Sequence, residues 1–252
     1  MKNIIAFMLL SIFTFSAFAA VHGQVAMDHI ETDISDQASL QKGLSFFTNY
    51  CFGCHSMKYA RYERAAADLG IPHKLIEKNI LVGQVKIGEL MTISMPEDQA
   101  KIWFGNPPPD LTLSSRLRGA DWIYNYLRGF YIDPSRPYGV NNVIFKDVGM
   151  PHVLASLQGV CAEEPHLGVK PEVDPLSGNI VKSSGCHEYA VEGSLSPKEY
   201  DEAIYNLVNF LEYVGEPSRP QSEAIGRNVL IFLAFLFIFA YFLNKEYWRD
   251  IH

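Results

Sequence analysis

Positive charge is in short supply in this chain. Its 21 Lys and Arg are outnumbered by 28 Asp and Glu, giving a formal net charge of −7. A surface that neutralises phosphates needs the opposite balance, so no nucleic-acid partner is expected. Cysteine is also scarce, four in 252 residues. Only Cys51 and Cys54 form a closely spaced pair, whereas a structural zinc site commonly draws on two such pairs. Internal repeats and low-complexity tracts are absent, and only 19% of residues are charged against 48% hydrophobic. Disorder is thereby excluded, and the length suits one substantial domain with appendages.

The appendages are apolar and terminal. After Lys2 the run "IIAFMLLSIFTFSAFA" closes on small residues, the layout of a secretory signal with cleavage after Ala19. Retention as an anchor is the alternative, but the run is short and ends on an A-x-A pattern. Near the other end, Val229 to Leu243 is unbroken apolar sequence, extended by Ala224 and Ile225. At about 1.5 Å per residue it crosses a bilayer core, and a buried soluble helix is seldom apolar on every face. The tail "NKEYWRDIH" carries Lys245 and Arg249 beside Tyr247 and Trp248, which assigns it to the cytoplasm. The expected order is a signal peptide over 1–19, a bacterial periplasmic domain over 20–215, a linker over 216–223, a transmembrane helix over 224–244 and a cytoplasmic tail over 245–252.

Inside the domain the pattern is mainly helical. "SDQASLQKGLSFFTNY" places Leu40, Leu44 and Phe47 at helical spacing behind a cap at Ser35 or Asp36, and leads straight into Cys51. "YARYERAAADLGI" reads as a helix stopping near Gly70, and Pro96, Glu97 and Asp98 open a short one. "GNPPPDL" is stiff and extended, since successive prolines fix their own φ and disfavour helix before them. "GADWIYNYLRGFY" reads as a helix ending near Gly129, and residues 133–149 as a long loop with one short extended piece. The clearest helix is "SPKEYDEAIYNLVNFLEYVG", with Ser196 as cap, Pro197 at the first position, Glu199 completing a capping box, and Ile204, Leu207, Val208 and Leu211 as its apolar stripe.

The chemistry centres on "CFGCH", Cys51 to His55. A C-x-x-C pair can hold a metal or shuttle a disulfide. The latter wants a strand-rich βαβ frame and a thiol of lowered pKa, and the flanks here are helical. C-x-x-C-H also attaches haem: two thiols add across its vinyl groups and the histidine becomes an iron ligand. That reading uses every residue of the motif and suits an exported protein. A second axial ligand is then wanted, and a soft thioether favours the ferrous state. Met57 is too near His55 and Met27 too near the chain start, leaving Met91, Met95 and Met150, with His152 as a further possibility. Met95 and Met150 each precede a proline that holds the backbone extended.

Taken in order, "CFGCH", "NPPPDL", "RGADWIYNYLRGFY", "RPYGVNN", "GMPHVL" and "SPKEYDEAIYNLVNFLEYVGEP", followed by one terminal anchor, resemble the cytochrome c1 family of proteobacterial type. The similarity runs from about Asp36 to His252. It implies a mainly α fold, a c-type cytochrome haem domain with long loops and one C-terminal transmembrane helix. One haem c is implied, attached at Cys51 and Cys54 and ligated by His55 and Met150, which decides against Met95. Arg118, or Arg116, with Trp122 or Tyr126, is implied to meet the haem propionates, where a guanidinium pairs with a carboxylate. Pro108 and Leu111 of "NPPPDL" are implied to wall one haem edge.

The same resemblance implies the partners. They are the cytochrome b and Rieske iron-sulfur subunits of a dimeric bc1 complex, and a soluble or membrane-bound cytochrome c that receives the electron. No bond-making catalysis is expected of the polypeptide alone. An anchored cytochrome subunit of another respiratory complex and a periplasmic thiol-disulfide oxidoreductase are the rival readings. Cys161 and Cys186 bracket an acidic, proline-rich loop that departs from the simplest family members. In an oxidising compartment a disulfide is expected there, with a zinc site of Cys161, His166, Cys186 and His187 as the alternative.

Overall fold

In the computed structural model, which describes residues 25–81, 83–170, 172–173 and 180–249, helix is the dominant element. The signal peptide expected over 1–19 and the last three residues of the expected tail lie outside the described residues. In chain order the elements begin with α1 (Gln37–Tyr50), β1 (Met57–Arg61), α2 (Tyr62–Asp68), α3 (His73–Asn79), β2 (Leu90–Met91), α4 (Glu97–Phe104), α5 (Ser114–Arg118) and α6 (Ala120–Arg128). They continue with β3 (Phe130–Ile132), β4 (Val140–Asn142), α7 (Ala155–Gln158), β5 (Gly159–Cys161), β6 (Glu172–Val173), β7 (Ile180–Lys182), β8 (Tyr189–Glu192), α8 (Pro197–Gly215) and α9 (Arg219–Tyr247).

Two capped helices make the frame. Asp36 is the cap of α1, its side chain accepting from the Ser39 N–H, and Leu40, Leu44 and Phe47 are buried along one face. In α8 the Ser196 side chain accepts from the Glu199 N–H while the Glu199 carboxylate takes the Ser196 N–H, so two otherwise unpaired amide donors are satisfied. Its stripe of Ile204, Leu207, Val208 and Leu211 packs on α1, with Phe47 and Phe210 ring centroids 6.1 Å apart. Gly43 lies at the crossing. A Cβ there would stand 2.1 Å from the Asn206 carbonyl oxygen, so only glycine lets the helices come this close.

The strands are the main departure from the sequence reading. The helix expected from Tyr59 to Gly70 begins only at Tyr62. Before it, β1 pairs antiparallel with β2. The cause is tertiary: the Tyr62 and Glu63 N–H groups, which a helix begun at Tyr59 would turn on its own carbonyls, donate instead to the Glu89 and Ile87 carbonyls at 3.4 and 2.8 Å. A four-stranded sheet of order β4-β3-β5-β8 follows α6. Its β3–β4 and β5–β8 pairs are antiparallel and β3–β5 is parallel. The short extended piece expected in the 133–149 loop is β4.

The segment α9 is the one helix among the described residues long and apolar enough to cross a membrane. It starts at Arg219, earlier than the expected linker allows, so the connection from α8 shrinks to Glu216–Ser218. Arg219 braces that corner, donating to Glu212 at 3.3 Å and Glu223 at 3.0 Å.

Candidate functional site

The C-terminal end of α1 delivers the motif. The Cys51 N–H still bonds to the Phe47 carbonyl at 2.9 Å, and the Cys54 and His55 amides fold back on the Cys51 carbonyl at 3.1 and 2.9 Å. This tight turn sets both thiols and the imidazole on one short stretch of backbone. Cys51 and Cys54 are half-buried and not bonded to each other. Burial, with a smaller contribution from Cys54, pushes the Cys51 thiol up to about 12. A disulfide-exchange nucleophile needs the opposite shift, which burial at Cys51 does not supply.

His55 is anchored from the far side of its ring. Its Nδ1 lies 2.8 Å from the Pro109 carbonyl oxygen. A carbonyl only accepts, so Nδ1 carries the proton and Nε2 keeps a lone pair for a metal. Burial lowers the His55 pKa, with the Pro109 carbonyl and Asp110 opposing, which keeps the ring in the neutral form that ligates.

The "NPPPDL" segment is held for this task. Asp110 accepts the Lys58 and Thr112 amides at 2.6 and 3.0 Å, and the Leu111 N–H donates to the Ser56 carbonyl at 2.9 Å. These bonds lace residues 56–59 to 110–112 and fix the Pro109 carbonyl over His55. Pro108 and Leu111 are half-buried beside them.

A second row of side chains comes from α6 and the loop after β4. The Trp122 and Tyr126 rings stack with centroids 4.9 Å apart, and the Arg118 guanidinium lies 4.9 Å from the Trp122 centroid. At the other end of the row the Tyr126 hydroxyl donates to the Met150 sulfur at 3.4 Å. Arg116 stands apart from it, its stem against Gly215 at the end of α8. Cys51, Phe52, Leu111, Trp122, Tyr126 and Met150 all pack on one apolar cluster, so both halves of the expected site meet on the same core.

Other candidates are occupied elsewhere. Met57 and Met91 face each other across β1 and β2, fully buried. His152 stacks on Phe130 with centroids 4.7 Å apart and its Nε2 lies 3.0 Å from the Gly159 carbonyl, while burial pushes its pKa down to about 4. Cys161 and Cys186 are joined as a disulfide. This removes both thiolates from the proposed zinc set. Among the described residues no group of three or more His, Cys, Asp or Glu is placed to hold a metal.

Some contributors carried no local sequence signal. Phe130 meets Tyr126 edge-on with centroids 5.5 Å apart, and Asn142 donates to the Tyr126 carbonyl at 2.7 Å. Both come from short strands whose pairing is set at long range. The residues do fit a covalently attached haem: two unbonded thiols on one turn, an imidazole with a free nitrogen, and a thioether framed by aromatic rings.

Comparison with known proteins gives the following. Residues 29–160 match the model of the Cytochrome C1 family. The chain is 48% identical over 248 residues to cytochrome c1 of Allochromatium vinosum, covering 97% of this chain and 99% of that one. It is 40% identical over 251 residues to a Nitrosomonas europaea protein named ammonia monooxygenase gamma subunit, covering 99% and 100%. It is 26% identical to cytochrome c1 of Rhodospirillum rubrum, covering 86% and 83%. A chain of a hyperthermophilic respiratory Complex III aligns over 100% of this chain and 98% of its own, at 16% identity and a TM-score of 0.41.

Proposed function

The chain belongs to the cytochrome c1 family, and on that premise we propose that it takes an electron from a Rieske iron-sulfur protein and passes it to a cytochrome c. The family carries a covalently bound c-type haem and forms the membrane-anchored haem subunit of the respiratory bc1 complex. When bound, the haem supplies a one-electron redox couple. Cys51 and Cys54 would hold it by thioether bonds. His55 and Met150 would supply nitrogen and sulfur to its iron. The Pro109 carbonyl keeps the His55 ring aimed, Leu111 and Pro108 keep water from one edge, and Arg118 beside Trp122 offsets propionate charge.

The observation that carries this reading is the His55 Nδ1 contact with Pro109, 2.8 Å long, on the same turn as two unbonded thiols. It leaves one ring nitrogen free to ligate a metal beside the two thiols, which neither a redox-active C-x-x-C nor a structural turn requires. We further assign the haem domain, 20–215, to the periplasmic side. The spanning segment is 224–244 within α9, and the tail that carries Lys245 and Arg249 is cytoplasmic. A removed leader over 1–19 completes the arrangement.

Affinity purification of the full chain in mild detergent tests the assignment. Co-elution with a cytochrome b and a Rieske protein is expected, in a dimeric assembly that reduces added cytochrome c. Recovery of a haem-loaded chain with the subunits of a different oxidoreductase instead contradicts it, and favours the alternative of an anchored cytochrome in another complex.

A further inference from the structure

Arg128 is 5% exposed, yet no part of the proposed electron path uses it. Its guanidinium is shared between two carboxylates from distant parts of the chain. Nε and Nη2 reach Asp201 of α8 at 2.7 and 3.3 Å, and Nη1 reaches Asp28 at 2.6 Å. The plane also covers the Tyr124 ring, 4.6 Å from its centroid. Ser184, from the loop closed by the disulfide, donates to the same Asp28 carboxylate. Removing Asp28 leaves Arg128 paired with Asp201 alone and its buried Nη1 donor without a partner.

Asp28 belongs to a segment without regular structure that precedes α1 and lies along α6. The Asp28 N–H donates to Asn125 at 3.0 Å and its carbonyl accepts from the Asn125 amide at 2.8 Å. The Ile30 N–H donates to Asp121 at 2.9 Å. Asp121, Asn125 and Arg128 are spaced i, i+4, i+7, one stripe of the helix. Trp122 and Tyr126 form the next stripe round, about 100° away. The contacts that hold the first stripe therefore set the rotation of the second, and Tyr126 is the residue that touches the Met150 sulfur.

We propose that Asp28 and Arg128 form a clasp by which the N-terminal segment fixes the rotation of α6, so that Arg128 is a positioning residue for Tyr126 and, through it, for Met150. The clasp rests on the reading of Met150 as an axial ligand. It acts at a distance: among the described residues the bonds of the segment run to α6, α8 and Ser184 and not to His55 or Met150.

The test uses the full-length, haem-loaded protein with Asp28→Ala, Asp28→Asn and, as a control, Tyr205→Phe. That control deletes the bond of the Tyr205 hydroxyl to the Glu31 carbonyl, 3.0 Å, which ties the same segment to α8 instead of α6. Asp28→Ala is expected to speed amide hydrogen exchange across 121–128 by about tenfold. It is also expected to weaken the sulfur-to-iron absorption band and to lower the midpoint potential, with the haem still covalently attached. Asp28→Asn, which retains an acceptor, is expected to give a smaller change in the same three readouts, and it decides the matter should the alanine variant fail to fold. Tyr205→Phe is expected to leave band and potential unchanged. Unaltered band and potential in the Asp28 variants, or an equal change in Tyr205→Phe, overturns the proposal. Absence of the band from the wild-type protein refutes Met150 ligation, and the clasp's role falls with it.

Discussion

Cys51 and Cys54 stand three positions apart on a single turn and remain thiols; Cys161 and Cys186 stand 25 positions apart and are bonded, their Cα atoms 5.8 Å apart. Proximity in sequence does not decide which pair closes. The first pair sits where α1 ends, on a turn whose Cys54 and His55 amides point back to the Cys51 carbonyl and whose next residue is an anchored histidine. The second is brought together by the sheet: Cys161 ends β5 and pairs with Tyr189 of β8, just past Cys186. One pair stays open on a helix-terminal turn, and the other ties the 161–186 loop into the domain.

The sharpest way to break that contrast is to exchange the losses. Cys51→Ser with Cys54→Ser is expected to abolish covalent haem entirely, read as a blank lane on a denaturing gel stained for haem. Met150→Leu, which lies between the two pairs in sequence, is expected to keep the haem and lose the whole sulfur-to-iron band, with a lower midpoint potential by redox titration. An unchanged band would leave Met150 as packing only. Cys161→Ser with Cys186→Ser is expected to retain both haem and band while costing about 3–4 kcal/mol of stability in a denaturant titration. If haem attachment fails in that variant instead, the two pairs are not separable as described.

The smallest effect concerns the cap of α8, the helix that packs against α1. Hydrogen bonds from the Ser196 hydroxyl, then its backbone, hold the Glu199 carboxyl below the ordinary glutamate range. The stabilisation is therefore complete above the unfolded pKa and is lost as pH falls through the lower folded value. Glu199→Gln is expected to flatten this part of the acid limb of a stability–pH curve, leaving stability near neutrality little changed.

Much of this arrangement can be read along the chain, and the reasons differ by element. The helices α1, α6 and α8 are legible because apolar spacing agrees with a cap in α1 and α8 and with a glycine stop in α6. The residues from Tyr59 onward mislead because their alanine-rich half does form a helix, while the distant carbonyls of Ile87 and Glu89 take the amides that an earlier first turn would use. Strands of two to five residues carry no periodicity to find. In the same way Cys51, Cys54 and His55 are contiguous and announce themselves. The partners of Arg128 lie 73 and 100 positions off, and no local pattern marks them.

The central claim is that the first cysteine pair holds a haem that the second pair does not touch. The most direct measurement is extraction of the purified, denatured full-length protein with acidified acetone, followed by a pyridine haemochrome spectrum of both fractions. The account predicts that all the haem stays with the polypeptide, at one per chain. A colourless protein, or haem recovered in the acetone, would contradict it.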